Sequence, residues 1–257
     1  MINYSFDQLI ELFYRFLLPF CRISSFFLAA PFFNLDALSI RVRITIALLF
    51  TIIAVNLINF DTAALSISNL YSQIVIQLVI GIFSGLLLII INAAITVAGQ
   101  AISNSMGLGM ANMVDPSIGS VPLISQFLIL LSTLIFLSID GHLIIANIII
   151  RSFEILPLGQ TIDINLINDY LFEWTPLIFL AGLTLSLPIL VSVLLINIGL
   201  GIITRSAPSL NIISVGFPII MAVGFIALLI VMPGLIVKIN MLWNLAFEIM
   251  FEFFGGD

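Results

Sequence analysis

Asp140, Gly141 and His142 stand side by side within a long apolar run and join an acid, a flexible backbone position and the chain's single histidine. Ionisable groups at membrane depth often serve as proton relays, so Asp140 and His142, with Asp115 brought to them by the fold, form a candidate relay. The competing reading is structural, with the Asp-Gly-His step satisfying backbone groups at a helix irregularity and pairing with Arg22 or Arg151. Arg22 itself lies deep in the first apolar run, seven residues after Arg15 and on the same helical face. A guanidinium there needs protein partners. Arg15, near the helix end and four residues after Glu11, is expected to reach the interface instead.

The inventory for enzymatic chemistry is poor. One histidine excludes a two-histidine metal motif, and one cysteine, Cys21, excludes thiolate clusters and an intramolecular disulfide. No nucleophile elbow, zinc-protease or phosphate-binding loop pattern is present, and Gly107-Leu108-Gly109 lacks the third glycine of a dinucleotide fingerprint. No catalytic residue, cofactor or metal is expected. Nucleic acid is excluded as a partner because the formal charge is -6 and the basic residues do not cluster beyond Arg41 and Arg43.

The remaining distinctive chemistry is conformational. Residues 100–122 are small, rich in Met and interrupted by Gly107, Gly109 and Pro116. Each glycine costs about 1 kcal/mol relative to alanine in a helix, and Pro116 disfavours a helical backbone at Asp115. Irregular backbone at membrane depth survives only where protein buries it or where it lines a wet cavity, so this stretch marks a pore or a buried site. Met106, Met110 and Met113 would share a face if locally helical; they are either core filler or a compliant apolar plug that keeps a pore dewetted.

The elements that must position these residues are membrane helices. Of 257 residues 62% are hydrophobic and only 8% charged, and mean hydropathy is +1.32. Charge-free runs such as Thr62 to Val114 and Trp174 to Thr204 leave too little polar surface for a water-soluble globule. An all-α integral membrane protein follows, with membrane lipid around it and about six kinked helices in hairpins. The expected spans are Leu9 to Phe33, Ile44 to Ile58, Tyr71 to Ala98, Pro122 to Ile150, Pro176 to Ile203 and Ile212 to Val237. Arg151 to Glu173 reads as a polar loop, and Lys238 to Phe254 as a separate amphipathic helix. The first helix is expected to stay in the mature protein, since no positive n-region or cleavage site precedes it. Gly81-Ile-Phe-Ser-Gly85 permits close backbone approach, either within the chain or to a partner. Under a six-span count, positive-inside logic puts both termini outside.

Met106-Gly-Leu-Gly-Met110, Val114-Asp-Pro116, Val121-Pro122, Ser125-Gln-Phe127, Asp140-Gly-His-Leu143 and Ser152-Phe-Glu-Ile-Leu-Pro-Leu-Gly159 together resemble the signature order of the FliR family. That family supplies a component of the flagellar type III export gate and has injectisome relatives. Asp140 departs from the pattern, which leads one to expect Asn or a similar residue there.

The resemblance implies a helical hetero-oligomeric gate in the bacterial inner (cytoplasmic) membrane, in the flagellar basal body. Its implied partners are FliP-like and FliQ-like subunits, an FlhB-like export-switch protein and exported unfolded proteins. It also implies that residues 1–173 correspond to a FliP-like part and 174–257 to a FliQ-like hairpin with a C-terminal tail. The plug loop would span about 104–122, with Met106, Gly107, Leu108, Gly109, Met110, Met113, Asp115 and Pro116. The alternatives are an injectisome export-gate subunit and a secondary transporter binding a small solute at the break. Such transporters usually show paired breaks in two related halves, and only one break is obvious here.

Overall fold

The computed structural model describes residues 6–31, 39–58, 69–108, 122–160, 163–206 and 212–254. Among them the chain forms helices and no strand: α1 Phe6–Ala29, α2 Ile40–Leu57, α3 Leu70–Ser105, α4 Leu123–Ser138, α5 Gly141–Ile155, α6 Ile164–Trp174, α7 Leu177–Ser206 and α8 Ile212–Phe253. Five stretches are long and apolar enough to cross a membrane, or six if α4 and α5 count as one broken span. The all-α membrane class expected from composition is what the chain adopts.

Four boundaries differ from expectation. α3 continues through Ser105, so Gln100 to Ser105 are helical despite their small polar side chains. The fourth span is two helices, interrupted at Ile139 and Asp140. The polar stretch after Arg151 is not a plain loop: α5 ends at Ile155 and Ile164–Trp174 forms α6. The C-terminal amphipathic segment is no separate element, because α8 runs unbroken for 42 residues through Pro218 and Pro233. Its sidedness is nevertheless as expected, with Ile249 and Phe253 buried and Asn244, Glu248 and Glu252 exposed. Propensity underestimates these lengths because tertiary packing, not intrinsic preference, supplies most helical stability.

The chain divides into two compact units. The first comprises residues 1–89, 140–174 and 245–257; the second comprises 90–139 and 175–244. In the first unit, α1 packs on α2 through the small face Ala47, Thr51 and Ala54, and the rings of Phe27 and Phe50 lie 5.3 Å apart. α3 meets α1 through Gly81 and Gly85. A Cβ on Gly81 would collide with Ser25 Oγ and the Arg22 carbonyl, and one on Gly85 would collide with Ala29 and sit 3.1 Å from the Ala30 nitrogen. The GxxxG pattern therefore packs this chain against itself. Phe253 of α8 packs at a tilt of 48° against Phe83 of α3, centroids 4.4 Å apart, and edge on against Tyr170 of α6 at 5.5 Å.

The second unit uses the same device. Gly182 of α7 lies against Ala94 and Val97 of α3, and Gly99 of α3 lies against the backbone of Ser125 in α4. Ser125 Oγ donates to the Thr96 carbonyl at 3.1 Å. Trp243 of α8 is fully buried and donates from Nε1 to Ser132 Oγ of α4 at 2.9 Å, with Phe136 packed on its ring. Small residues let backbones approach where lipid offers no hydrophobic drive between helices.

Candidate functional site

Among the described residues Arg22 is the most enclosed charged side chain, 2% exposed, and it ties α1 to α3 and α5 in the first unit. Its Nε donates to Gln77 Oε1 at 2.7 Å, from α1 to α3. Nη1 donates to the Ser152 carbonyl at 2.9 Å and to Ser152 Oγ at 3.0 Å, and Nη2 donates to the Leu156 carbonyl at 2.9 Å. The Phe153 ring lies beneath the guanidinium, 4.2 Å from its carbon to the ring centroid. All these acceptors are neutral, and the two carbonyls lie at the C-terminal end of α5, where the helix dipole favours a cation.

One turn before Gln77, Gln73 is buried and accepts at Oε1 from the Gly159 N–H at 3.2 Å. Gly159 has φ +95°, a conformation that glycine adopts without steric cost. Two glutamines of α3 and one arginine of α1 thus hold the exit of α5. The segment Ser152 to Gly159 is their receptor: hydroxyl and carbonyl at 152, ring at 153, carbonyl at 156, amide at 159.

In the second unit, the end of α3 explains Gly107. Its φ is +77°, its N–H donates to the Asn104 carbonyl at 3.1 Å, and the Leu108 N–H donates to the Ser103 carbonyl at 3.0 Å. That pair of bonds with a left-handed glycine is a Schellman helix stop. The residue before it, Met106, is fully buried and lies across Gly224 of α8. A Cβ on Gly224 would be 2.6 Å from Met106 Cγ, 2.7 Å from Cε and 2.9 Å from Sδ. A Cβ on Gly107 would be 2.9 Å from the Phe217 ring. Leu108 is half-buried. Gly109, Met110, Met113, Asp115 and Pro116 lie outside the described residues.

Asp140 has φ 55° and ψ 30°, and its carbonyl accepts from the Leu143 and Ile144 amides at 2.9 and 3.1 Å to open α5. Its carboxylate caps nothing, and both Asp140 and His142 are exposed in their unit. Asp140 does not take the place of the neutral acceptors around Arg22, so the expected pairing between the two is absent. An apolar groove of about 600 Å³ between α4 and α8 is lined by Leu123, Phe127, Leu130, Phe225, Leu229 and Met232, among others. Among its described lining residues Gln126 is the polar one, the others being apolar.

The sequence matches the family of bacterial export proteins, family 1, over residues 13–246. The chain belongs to that family. It is similar to the flagellar biosynthetic protein FliR of Pectobacterium carotovorum subsp. carotovorum, 34% identical over 235 residues that cover 91% of this chain and 90% of the relative. The FliR protein of Bacillus subtilis (strain 168) is 30% identical over 250 residues, covering 95% and 96%. That of Escherichia coli (strain K12) is 30% identical over 236 residues, covering 91% and 90%. Membership of the FliR family, first visible in the motifs between residues 100 and 159, extends from α1 into α8.

Within this bacterial export protein, four side-chain positions escaped the sequence reading: Gln73, Gln77, Phe217 and Gly224. The glutamines carried a usable signal, because two amides four residues apart share one helical face and, among apolar neighbours, need hydrogen-bond partners. Phe217 and Gly224 carried none. An aromatic and a glycine in a span are ordinary until the end of α3 is seen against them.

Proposed function

We propose that this chain is a non-enzymatic subunit of the bacterial flagellar type III export gate and forms part of the channel through which unfolded flagellar proteins leave the cell. The observation that carries this reading is the match to an export-protein family over residues 13–246, together with relatives named flagellar biosynthetic proteins along nine-tenths or more of their length. The gate would lie in the cytoplasmic membrane at the flagellar basal body, with FliP-like and FliQ-like subunits and an FlhB-like switch protein as partners. Residues 1–173 would take the place of a FliP-like subunit and 174–257 that of a FliQ-like hairpin. The segment of about 104–122 would be the plug, sealing by apolar packing.

Two measurements test the proposal together. Cells lacking the chain should secrete no flagellar proteins and regain secretion when it is restored, and the tagged chain should leave detergent-solubilised membranes in fixed stoichiometry with two other small membrane proteins. A chain that is isolated alone, from cells whose flagellar export does not depend on it, would refute the assignment.

A further inference from the structure

Lys238 of α8 is a cation beside a long charge-free stretch. No charged residue stands between Arg205, in the last turn of α7, and Lys238, and the nearest charge before Arg205 is Glu173. Lys238 is exposed, and its Nζ donates to the Thr184 carbonyl of α7 at 3.0 Å. The helical donor to that carbonyl would be the N–H of residue 188, which is proline and has none. Pro188 thus creates the acceptor that holds the ammonium. An ammonium has three N–H donors, and among the described residues the Thr184 carbonyl is the one polar partner of Lys238, so two donors are left.

The depth of this ammonium follows from helix geometry. Thr184 and Arg205 are 21 residues apart in α7, about 32 Å at 1.5 Å per residue, against about 30 Å for the hydrocarbon core of a bilayer. Arg205 and Lys238 therefore bracket one hydrocarbon thickness. The composition of α8 changes at the same level: it is free of charge before Lys238, and Asn240, Asn244, Glu248 and Glu252 follow. On the charge-free side, helical spacing puts Leu187 and Val191 on the face of α7 that carries Thr184, and Gly234 and Ile230 on the face of α8 that carries Lys238. All four are exposed, and a Cβ on Gly234 would meet nothing within 4 Å.

We propose that Lys238, steadied by the Thr184 carbonyl, binds the phosphate of an anionic membrane lipid whose acyl chains lie along the exposed apolar faces of α7 and α8. The positive charge with two donors to spare calls for an anion, and its depth is that of a headgroup. Open apolar surface on the hydrocarbon side suits acyl chains. The site rests on the membrane class of the chain and not on what the gate exports.

The experiment places the complex purified with this chain in phosphatidylcholine vesicles that contain a minority of spin-labelled phosphatidylglycerol, and reads the fraction of label immobilised on the protein. Spin-labelled phosphatidylcholine gives the reference. Lys238→Gln should lower association of phosphatidylglycerol several-fold and leave that of phosphatidylcholine unchanged, while Lys238→Arg should retain most of it. Pro188→Ala keeps the charge but gives the Thr184 carbonyl a helical donor, so it should lower association part-way; it also provides the comparison should Lys238→Gln fail to assemble. Inorganic phosphate should displace the lipid no better than sodium chloride of equal ionic strength. Unchanged association of phosphatidylglycerol in Lys238→Gln, or in Pro188→Ala where that variant alone assembles, would overturn the site. Displacement by inorganic phosphate would overturn the assignment to lipid. Loss of a partner subunit from Lys238→Gln with lipid association unchanged would mean that the ammonium meets a carboxylate of that partner instead. A loss in Lys238→Gln with none in Pro188→Ala would overturn the part given to the Thr184 carbonyl.

Discussion

At the scale of single residues, Arg22 shows how neutral groups hold a charge in an apolar bundle. Its stabilisation is distributed over Gln77 Oε1, Ser152 O and Oγ, Leu156 O and the Phe153 ring. Arg22→Leu would leave the Gln77 and Leu156 oxygens buried without this donor. Ser152 would suffer less, because its carbonyl also accepts from the Leu156 amide and its hydroxyl donates to the Ile149 carbonyl. The loss should therefore be about 3 kcal/mol, near two unsatisfied buried acceptors. Arg22→Lys should fall between, since an ammonium cannot span acceptors on three elements as the planar fork does. Thermal denaturation of the purified chain and native-gel abundance of the gate check both; a wild-type melting temperature for Arg22→Leu would refute this account. Asp140 is a different case, held by its backbone. Asp140→Asn should fold normally, because Asn tolerates the left-handed region, while Asp140→Val should cost about 1–2 kcal/mol. Export should follow complex abundance in Asp140→Asn and His142→Ala. A normally assembled gate that exports nothing after Asp140→Asn alone would make Asp140 a proton-coupling residue.

Between helices, glycine positions decide which faces meet. Gly81 is where α3 approaches α1 at the level of the Arg22 carbonyl, so it sets the distance that Arg22 must bridge to Gln77. Gly81→Val should separate the two helices and weaken that hydrogen bond as well as the apolar contact. The cost of Gly81→Val and Arg22→Leu together should consequently be less than the sum of the two alone, by roughly 1 kcal/mol or more, as for residues sharing one network. Denaturation of the two single variants and the double variant provides the measurement. Strict additivity would mean that the glycine contact and the arginine network are independent.

For the molecule as a whole, helix length is informative. α3 with 36 residues and α8 with 42 are about 54 and 63 Å long at 1.5 Å per residue. A bilayer's hydrocarbon core is about 30 Å thick, so upright helices of this length extend beyond it. The plug reading also makes a prediction at this scale. Gly107→Asp puts a charge beside the Phe217 ring and a side chain at φ +77°, so the closed gate should leak small ions more than wild type. Conductance of membranes carrying the assembled complex decides it, and unchanged conductance with unchanged export would count against a plug that begins here.

Composition and apolar run lengths determined the membrane class and the approximate spans, because a bilayer imposes length and polarity on every helix that crosses it. Local chemistry also marked a break near Gly107 and a protein-facing Arg22. Partners were beyond its reach. Whether Arg22 met Asp140 or neutral acceptors, whether Gly81 and Gly85 packed inside the chain or outside it, and how far α3 and α8 continued all depend on residues distant in sequence. Ser152 and Leu156 lie more than a hundred positions from Arg22, and Gly224 as far from Met106. Spacing along one helix reports which side chains share a face, but only tertiary packing decides what that face touches.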